Sequence, residues 1–152
     1  MVPYTYAVAS HSRANPDAVY AALTCAATWP LWSPIDAAAI ADGGDPEGQQ
    51  KVGDTRIFRT GRVISRETIV ELITHRRFVY ENLSGPFRSY RGTVELTPAT
   101  QGGTDITWSG SFEPKLRFSG RFWRWYLTRF MQRMADGLAA YASDTRSRTG
   151  SK

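Results

Sequence analysis

The sequence predicts an α+β domain in which one curled antiparallel sheet packs on one long helix. Two observations carry this prediction. From Asp54 to Glu113 the apolar residues recur with a period of two, cut into segments by turn-forming residues. After Pro114 the period changes to 3.6 and holds to about Ser143. A strand and one or two short helices come before both, so helices and strands are segregated along the chain rather than alternating.

Residues 4–10 (YTYAVAS) alternate as a first strand. Asn15-Pro16-Asp17 then starts a helix, with Asn as N-cap, Pro at the first helical position and Asp in the first turn. Val19, Ala22, Leu23 and Ala26 follow at helical spacing and carry it to about Cys25. Pro30 and Pro34 bias their predecessors away from helix, so one short helical turn fits between residues 26 and 32. Residues 41–53 (ADGGDPEGQQKVG) are loop by composition. Five strands follow at 56–59, 62–74, 77–83, 89–97 and 103–112, and their short connections imply a meander.

Alternation also assigns the faces. Tyr90, Gly92, Val94 and Leu96 share a side, as do Ile106, Trp108, Gly110 and Phe112, and Phe78 and Tyr80. One sheet face is therefore apolar and aromatic, the other wet. In the long strand Ile64, Val70 and Leu72 favour one phase and Val63, Ile69 and Ile73 the other, which predicts a bulge. On the last helix Phe122, Trp123, Tyr126, Phe130, Met134, Leu138 and Tyr141 form the apolar stripe. Gly92 and Gly110 lie on the inward phase, where a missing side chain permits bending or leaves room. A curled sheet touching a straight helix along part of its length can enclose a cavity. Residues 1–144 are expected to form a single domain and 145–152 (TRSRTGSK) a disordered basic tail.

Composition narrows the classes. A chain of 152 residues fits one domain with a real core. The single Cys25 excludes an internal disulfide and a cysteine-based zinc site, and its place beside Ala22 and Ala26 reads as a structural thiol. No apolar stretch reaches the ~20 residues of a membrane span, and residues 1–6 lack a secretory leader, so a cytoplasmic protein is expected. The net charge of +5 is uneven: residues 113–152 hold nine basic and three acidic side chains. Such a region can meet anionic lipid or nucleic acid, or form a solvated helix face with a tail. Nucleic acid is not expected as a partner, and peripheral membrane contact stays open without being favoured.

His11 and His75 fall in connections and read as exposed loop residues. Metal-binding HExxH, phosphate-loop, GxSxG and Cys/His patterns do not occur, so no metal, no cofactor and no catalytic residue is assigned.

Four segments resemble a known family: Ala14–Tyr20 opening the first helix, Trp29–Ser33 after it, Val52-Gly53-Asp54 before the meander, and Gly102–Trp108 on the last strand. Tyr90-Arg91-Gly92 and the long terminal helix fit as well. Over residues 4–143 the chain resembles the polyketide-cyclase/dehydrase-like branch of the START-related helix-grip superfamily, often called SRPBCC. The resemblance implies a helix-grip fold, with a curved sheet around the long C-terminal helix, and a cavity for a hydrophobic small molecule, lipid-like or polycyclic. It also allows a cyclase or aromatase working by acid/base catalysis, or an interaction domain whose core is filled.

Trp32, Tyr80, Tyr90, Trp108, Tyr126 and Phe130 are the candidate ligand-lining residues, since Tyr and Trp combine apolar area with one hydrogen-bonding group. Each of them can equally be plain core. Arg59, with either Arg66 or Glu67 according to the strand's phase, is the candidate inward charge; in the opposite phase they are surface charges.

Overall fold

The computed structural model describes residues 3–82 and 85–150. Seven strands form one antiparallel sheet: β1 (Tyr4–Ser12), β2 (Ala37–Ile40), β3 (Thr55–Thr60), β4 (Val63–Ile73), β5 (Arg77–Asn82), β6 (Phe87–Pro98) and β7 (Thr104–Pro114). Their spatial order is β1-β7-β6-β5-β4-β3-β2, so the meander runs from β2 to β7 and the first strand closes onto the last. Three α-helices complete the chain: α1 (Pro16–Thr24), α2 (Trp29–Trp32) and α3 (Gly120–Gly150). The order of elements predicts this sheet-on-helix arrangement, and it is the helix-grip architecture that the resemblance implies.

Two elements differ from the expected pattern. β2 reads Ala-Ala-Ala-Ile, too short and too uniform for alternation to reveal, and its pairing with β3 creates it. The helical backbone of α3 continues to Gly150, past the expected end near Ser143, so residues 145–150 are helical where a disordered tail is expected. The last two residues of that tail lie outside the described residues.

The bulge expected in the long strand sits between Ile69 and Glu71. It reconciles the two competing phases. Before it Glu67 and Ile69 face the core, and after it Leu72 does. One extra residue has flipped the alternation, as a period of two requires.

The core lies on one sheet face. Tyr6, Phe58, Ile69, Phe78, Tyr80, Tyr90, Val94, Leu96, Ile106, Trp108 and Phe112 point toward it. From the helix side come Leu127, Met131, Met134, Leu138 and Ala142. The helix is tied to β1 by polar bonds as well: Gln132 Nε2 donates to the Ala9 carbonyl at 2.9 Å and Ser12 Oγ to the Ala139 carbonyl at 2.8 Å. On its flank α3 meets α2 at Gly137, where the Trp32 carbonyl occupies the space a Cβ would need.

The loop of residues 41–53 is pinned by Gln50. Its Oε1 accepts from Ala26 N at 2.7 Å and its Nε2 donates to the Gly48 carbonyl at 2.6 Å. A buried side-chain amide with both ends satisfied holds an irregular loop against the end of α1.

Candidate ligand-binding site

Strand register brings four inward positions into one row: Tyr80 of β5, Gly92 of β6, Gly110 of β7 and Tyr6 of β1. The two tyrosine rings lie over the two glycines, in the space where Cβ atoms would otherwise stand. The glycines thus leave room, and the room is taken by rings laid flat on the sheet. Tyr90, two residues before Gly92 on the same face, completes the group.

The hydroxyls converge. Tyr6 Oη and Tyr90 Oη are hydrogen-bonded, and Trp108 Nε1 donates to Tyr80 Oη at 3.0 Å. Burial pushes all three phenols above their ordinary value, most of all Tyr6 and Tyr90. At neutral pH they are protonated donors and do not act as bases. The result is a polar cluster within an aromatic interior.

Beside it lies a buried ion pair. Arg56 of β3 and Glu67 of β4 are register partners. Arg56 Nη2 approaches Glu67 Oε2 at 3.4 Å, and Nη1 donates to the Leu23 carbonyl at 2.8 Å. The guanidinium sits within 4.3 Å of the Trp29 ring centroid, 4.7 Å of Phe78 and 5.0 Å of Phe58. Such an aromatic box suits arginine, whose planar cation is weakly hydrated and stacks on rings. Burial draws Arg56 down to about 10, against the opposing pull of Glu67, so it stays charged at neutral pH. Burial likewise raises Glu67, with Arg56 holding it down. Among the described residues Glu67 is the one buried carboxyl.

The predicted site residues divide into three groups. Trp32, Tyr80, Tyr90 and Trp108 are buried and joined by ring contacts. Trp32 stands 4.7 Å from Trp29 and Trp29 5.9 Å from Trp108, which meets Tyr80 edge-on at 6.5 Å. Tyr80 lies 6.0 Å from Tyr90.

Tyr126 and Phe130 are elsewhere, on the flank of α3. Phe130 is half-buried; Tyr126 is 42% exposed and stacks on Phe122 and Phe130 rather than on the inner rings. This strip follows i, i+4 spacing toward Gly137 and so leads along the helix to α2.

Arg59 requires a correction. It is exposed and donates to the Gly61 carbonyl at 3.4 Å. Arg56 and Arg59 are three residues apart on one strand, so only one can face inward, and it is Arg56. Of the alternatives on β4, Glu67 faces inward and Arg66 is exposed. His75, edge-on to Tyr20, is an exposed turn residue as the sequence predicts. His11 is exposed too, but it lies on β1 opposite Asp105, to which it is paired at 2.9 Å, and not in a connection.

Sequence reasoning missed Tyr6, Trp29, Arg56 and Phe58. Tyr6 was legible from its alternation with Val8. The phase of β3 was not, because four residues with an arginine at each end support either face.

Comparison with known proteins agrees with this architecture. The family described as polyketide cyclase/dehydrase and lipid transport matches residues 5–143. No curated protein is significantly similar in sequence. Among solved structures, a START superfamily protein from Mycobacterium smegmatis superposes with a TM-score of 0.76 at 11% identity, over 93% of this chain and 98% of its own. A protein from Nitrosospira multiformis reaches 0.72 at 21% identity, over 94% and 99%. The di-domain ARO/CYC StfQ of the steffimycin biosynthetic pathway reaches 0.76 at 14% identity, over 96% of this chain and 52% of its own. At such identities the structures speak for the fold, and the family match speaks in general terms for a hydrophobic ligand. With nearly its whole length matched, the chain belongs to the polyketide cyclase/dehydrase and lipid transport family.

Proposed function

We propose that the protein binds or carries a hydrophobic small molecule, lipid-like or polycyclic, between the sheet and α3. The observation that carries this reading is the buried Tyr6–Tyr80–Tyr90 hydroxyl cluster with Trp108 beside it. A purely structural core gains little from three phenols and an indole N–H held together, since net stabilisation per hydrogen bond is only about 1 kcal/mol. A ligand with an apolar body and a few oxygens would meet apolar rings and preset donors at once. In this reading Trp32, Tyr80, Tyr90 and Trp108 meet the ligand, while Tyr126 and Phe130 line its approach.

The test is native mass spectrometry of purified protein, with binding of a fluorescent sterol-like probe measured in parallel. A co-purified apolar ligand, or saturable probe binding weakened by Trp108→Ala, supports the reading. Absence of both makes the interlocked rings a filled core and favours an interaction domain.

A second reading rests on Glu67. A carboxyl with a raised proton affinity beside phenolic donors is what a cyclase needs: a base to take a proton from carbon next to a ketone, and donors to stabilise the oxygen. Arg56 would hold Glu67 in place. Conversion of a poly-β-ketone probe to an aromatic product, lost in Glu67→Gln, would support this reading over simple carriage.

A further inference from the structure

The stretch between Glu113 and Asp136 contains no acidic residue and six basic ones: Lys115, Arg117, Arg121, Arg124, Arg129 and Arg133. None of the six has a carboxylate partner among the described residues. The same stretch exposes large apolar side chains. Phe118 is 97% exposed and Leu116 73%, on the connection between β7 and α3; Trp125 and Phe122 follow on the helix at 58% and 54%.

Three of these residues share a side of the helix, while Arg124 turns onto Tyr4, 5.0 Å from its ring centroid. Phe122, Trp125 and Arg129 fall at i, i+3 and i+7, opposite the buried Leu127, Met131 and Met134. The Arg129 guanidinium stands 5.4 Å from the Trp125 ring centroid, and the Phe122 and Trp125 rings are 6.3 Å apart. Trp123 turns the other way, onto Phe87 at 5.2 Å.

The connection is held firmly with its apolar tip outward. Lys115 N donates to the Pro86 carbonyl at 2.9 Å, and Ser119 Oγ to the Leu116 carbonyl at 2.6 Å. Phe118 adopts a left-handed backbone with φ +66°, unfavourable for a bulky residue. The Leu116–Ser119 turn, closed by Ser119 N and Oγ on the Leu116 carbonyl, holds that conformation and leaves the ring almost wholly in solvent.

We propose that this face docks on an anionic lipid surface, with Phe118, Leu116 and Trp125 entering the headgroup boundary and the basic residues meeting lipid phosphates. Clustered cations give charge complementarity to such a surface, and rings beside them supply insertion. Single-stranded nucleic acid also meets basic and aromatic residues together, but it stacks on ring faces and makes no use of a projecting Leu116. Docking is independent of what the interior holds.

Co-sedimentation of the whole protein with vesicles tests the inference. Binding is expected to phosphatidylcholine vesicles containing phosphatidylglycerol, to be weak with phosphatidylcholine alone, and to fall with added salt. Arg121→Ala with Arg129→Ala should weaken partitioning about fivefold for each cation removed. Phe118→Ser should weaken it by about tenfold or more with near-UV circular dichroism unchanged. Absence of binding to the anionic vesicles, or binding indifferent to both variants, overturns the proposal. So does an oligonucleotide that binds this face more tightly and displaces the vesicles, which would assign it to nucleic acid.

Discussion

The ring of Tyr80 lies over Gly92 of the neighbouring strand, occupying the place of the Cβ that any other residue would carry there. The glycine is therefore fixed by space and not by backbone angle, since its φ is not positive. Gly92→Ala gains up to about 1 kcal/mol of strand preference. Displacing a buried ring costs about 1–3 kcal/mol or more, so the clash wins. Urea unfolding should show net destabilisation, and a stabilised variant would mean that the ring moves aside freely.

Gly137 sets the same contest on a helix. Alanine there improves helix propensity by about 1 kcal/mol. Its Cβ would occupy the position of the Trp32 carbonyl, and backbone of a neighbouring helix gives way less readily than a flexible side chain. We expect Gly137→Ala to lower the melting temperature and to change Trp32 fluorescence. Alanine at half-buried Thr128, whose hydroxyl donates to the Arg124 carbonyl of its own helix, should do neither.

Arg56 and Glu67 predict both a mutational asymmetry and a pH dependence. Removing one partner strands a buried charge, so Arg56→Met alone should cost about 3–5 kcal/mol. The double variant Arg56→Met with Glu67→Leu should recover most of that loss or exceed wild type, as read by denaturant titration.

Glu67 holds its proton more tightly folded than at its ordinary value of 4.5. Between those two values the folded chain binds more protons than the unfolded one, so stability falls as pH rises through the window. Measured against Glu67→Gln, wild type should gain ground as pH is lowered from neutral toward 4.5. A gap that does not vary with pH would show that Glu67 titrates like an exposed carboxyl.

For the ligand reading, Tyr90→Phe is the sharpest single change. It keeps the ring and removes one hydroxyl from the cluster. Affinity for an oxygen-bearing polycyclic probe should drop roughly two- to tenfold, one net hydrogen bond. Affinity for a fully apolar analogue should stay level in a fluorescence titration, and an equal loss for both would point to altered packing.

The sequence made the meander, the long helix, the inward faces of β6 and β7 and the bulge legible, because each is written in a periodicity. Tyr80, Tyr90 and Trp108 followed from those faces. The Tyr6–Gly110 and Tyr80–Gly92 pairings were out of reach, since register joins strands far apart in the chain. Arg59 was misplaced because β3 is short and its polar ends mask its phase. Tyr126 was placed by a helical period that finds a stripe but not its edge, where this residue stands.

The pairing of β1 with β7 governs how the chain can fold. Tyr4 faces Phe112, and Ser12 faces Thr104. During synthesis at about 5–20 residues per second, the first strand must wait some 5–20 s before its partner exists. The β2–β7 meander can assemble from neighbouring segments, whereas seating β1 and then α3 requires closing the largest loop in the molecule. Refolding should therefore be slow for the chain's size, and a circular permutant that joins the two termini and opens the chain between β1 and α1 should refold faster.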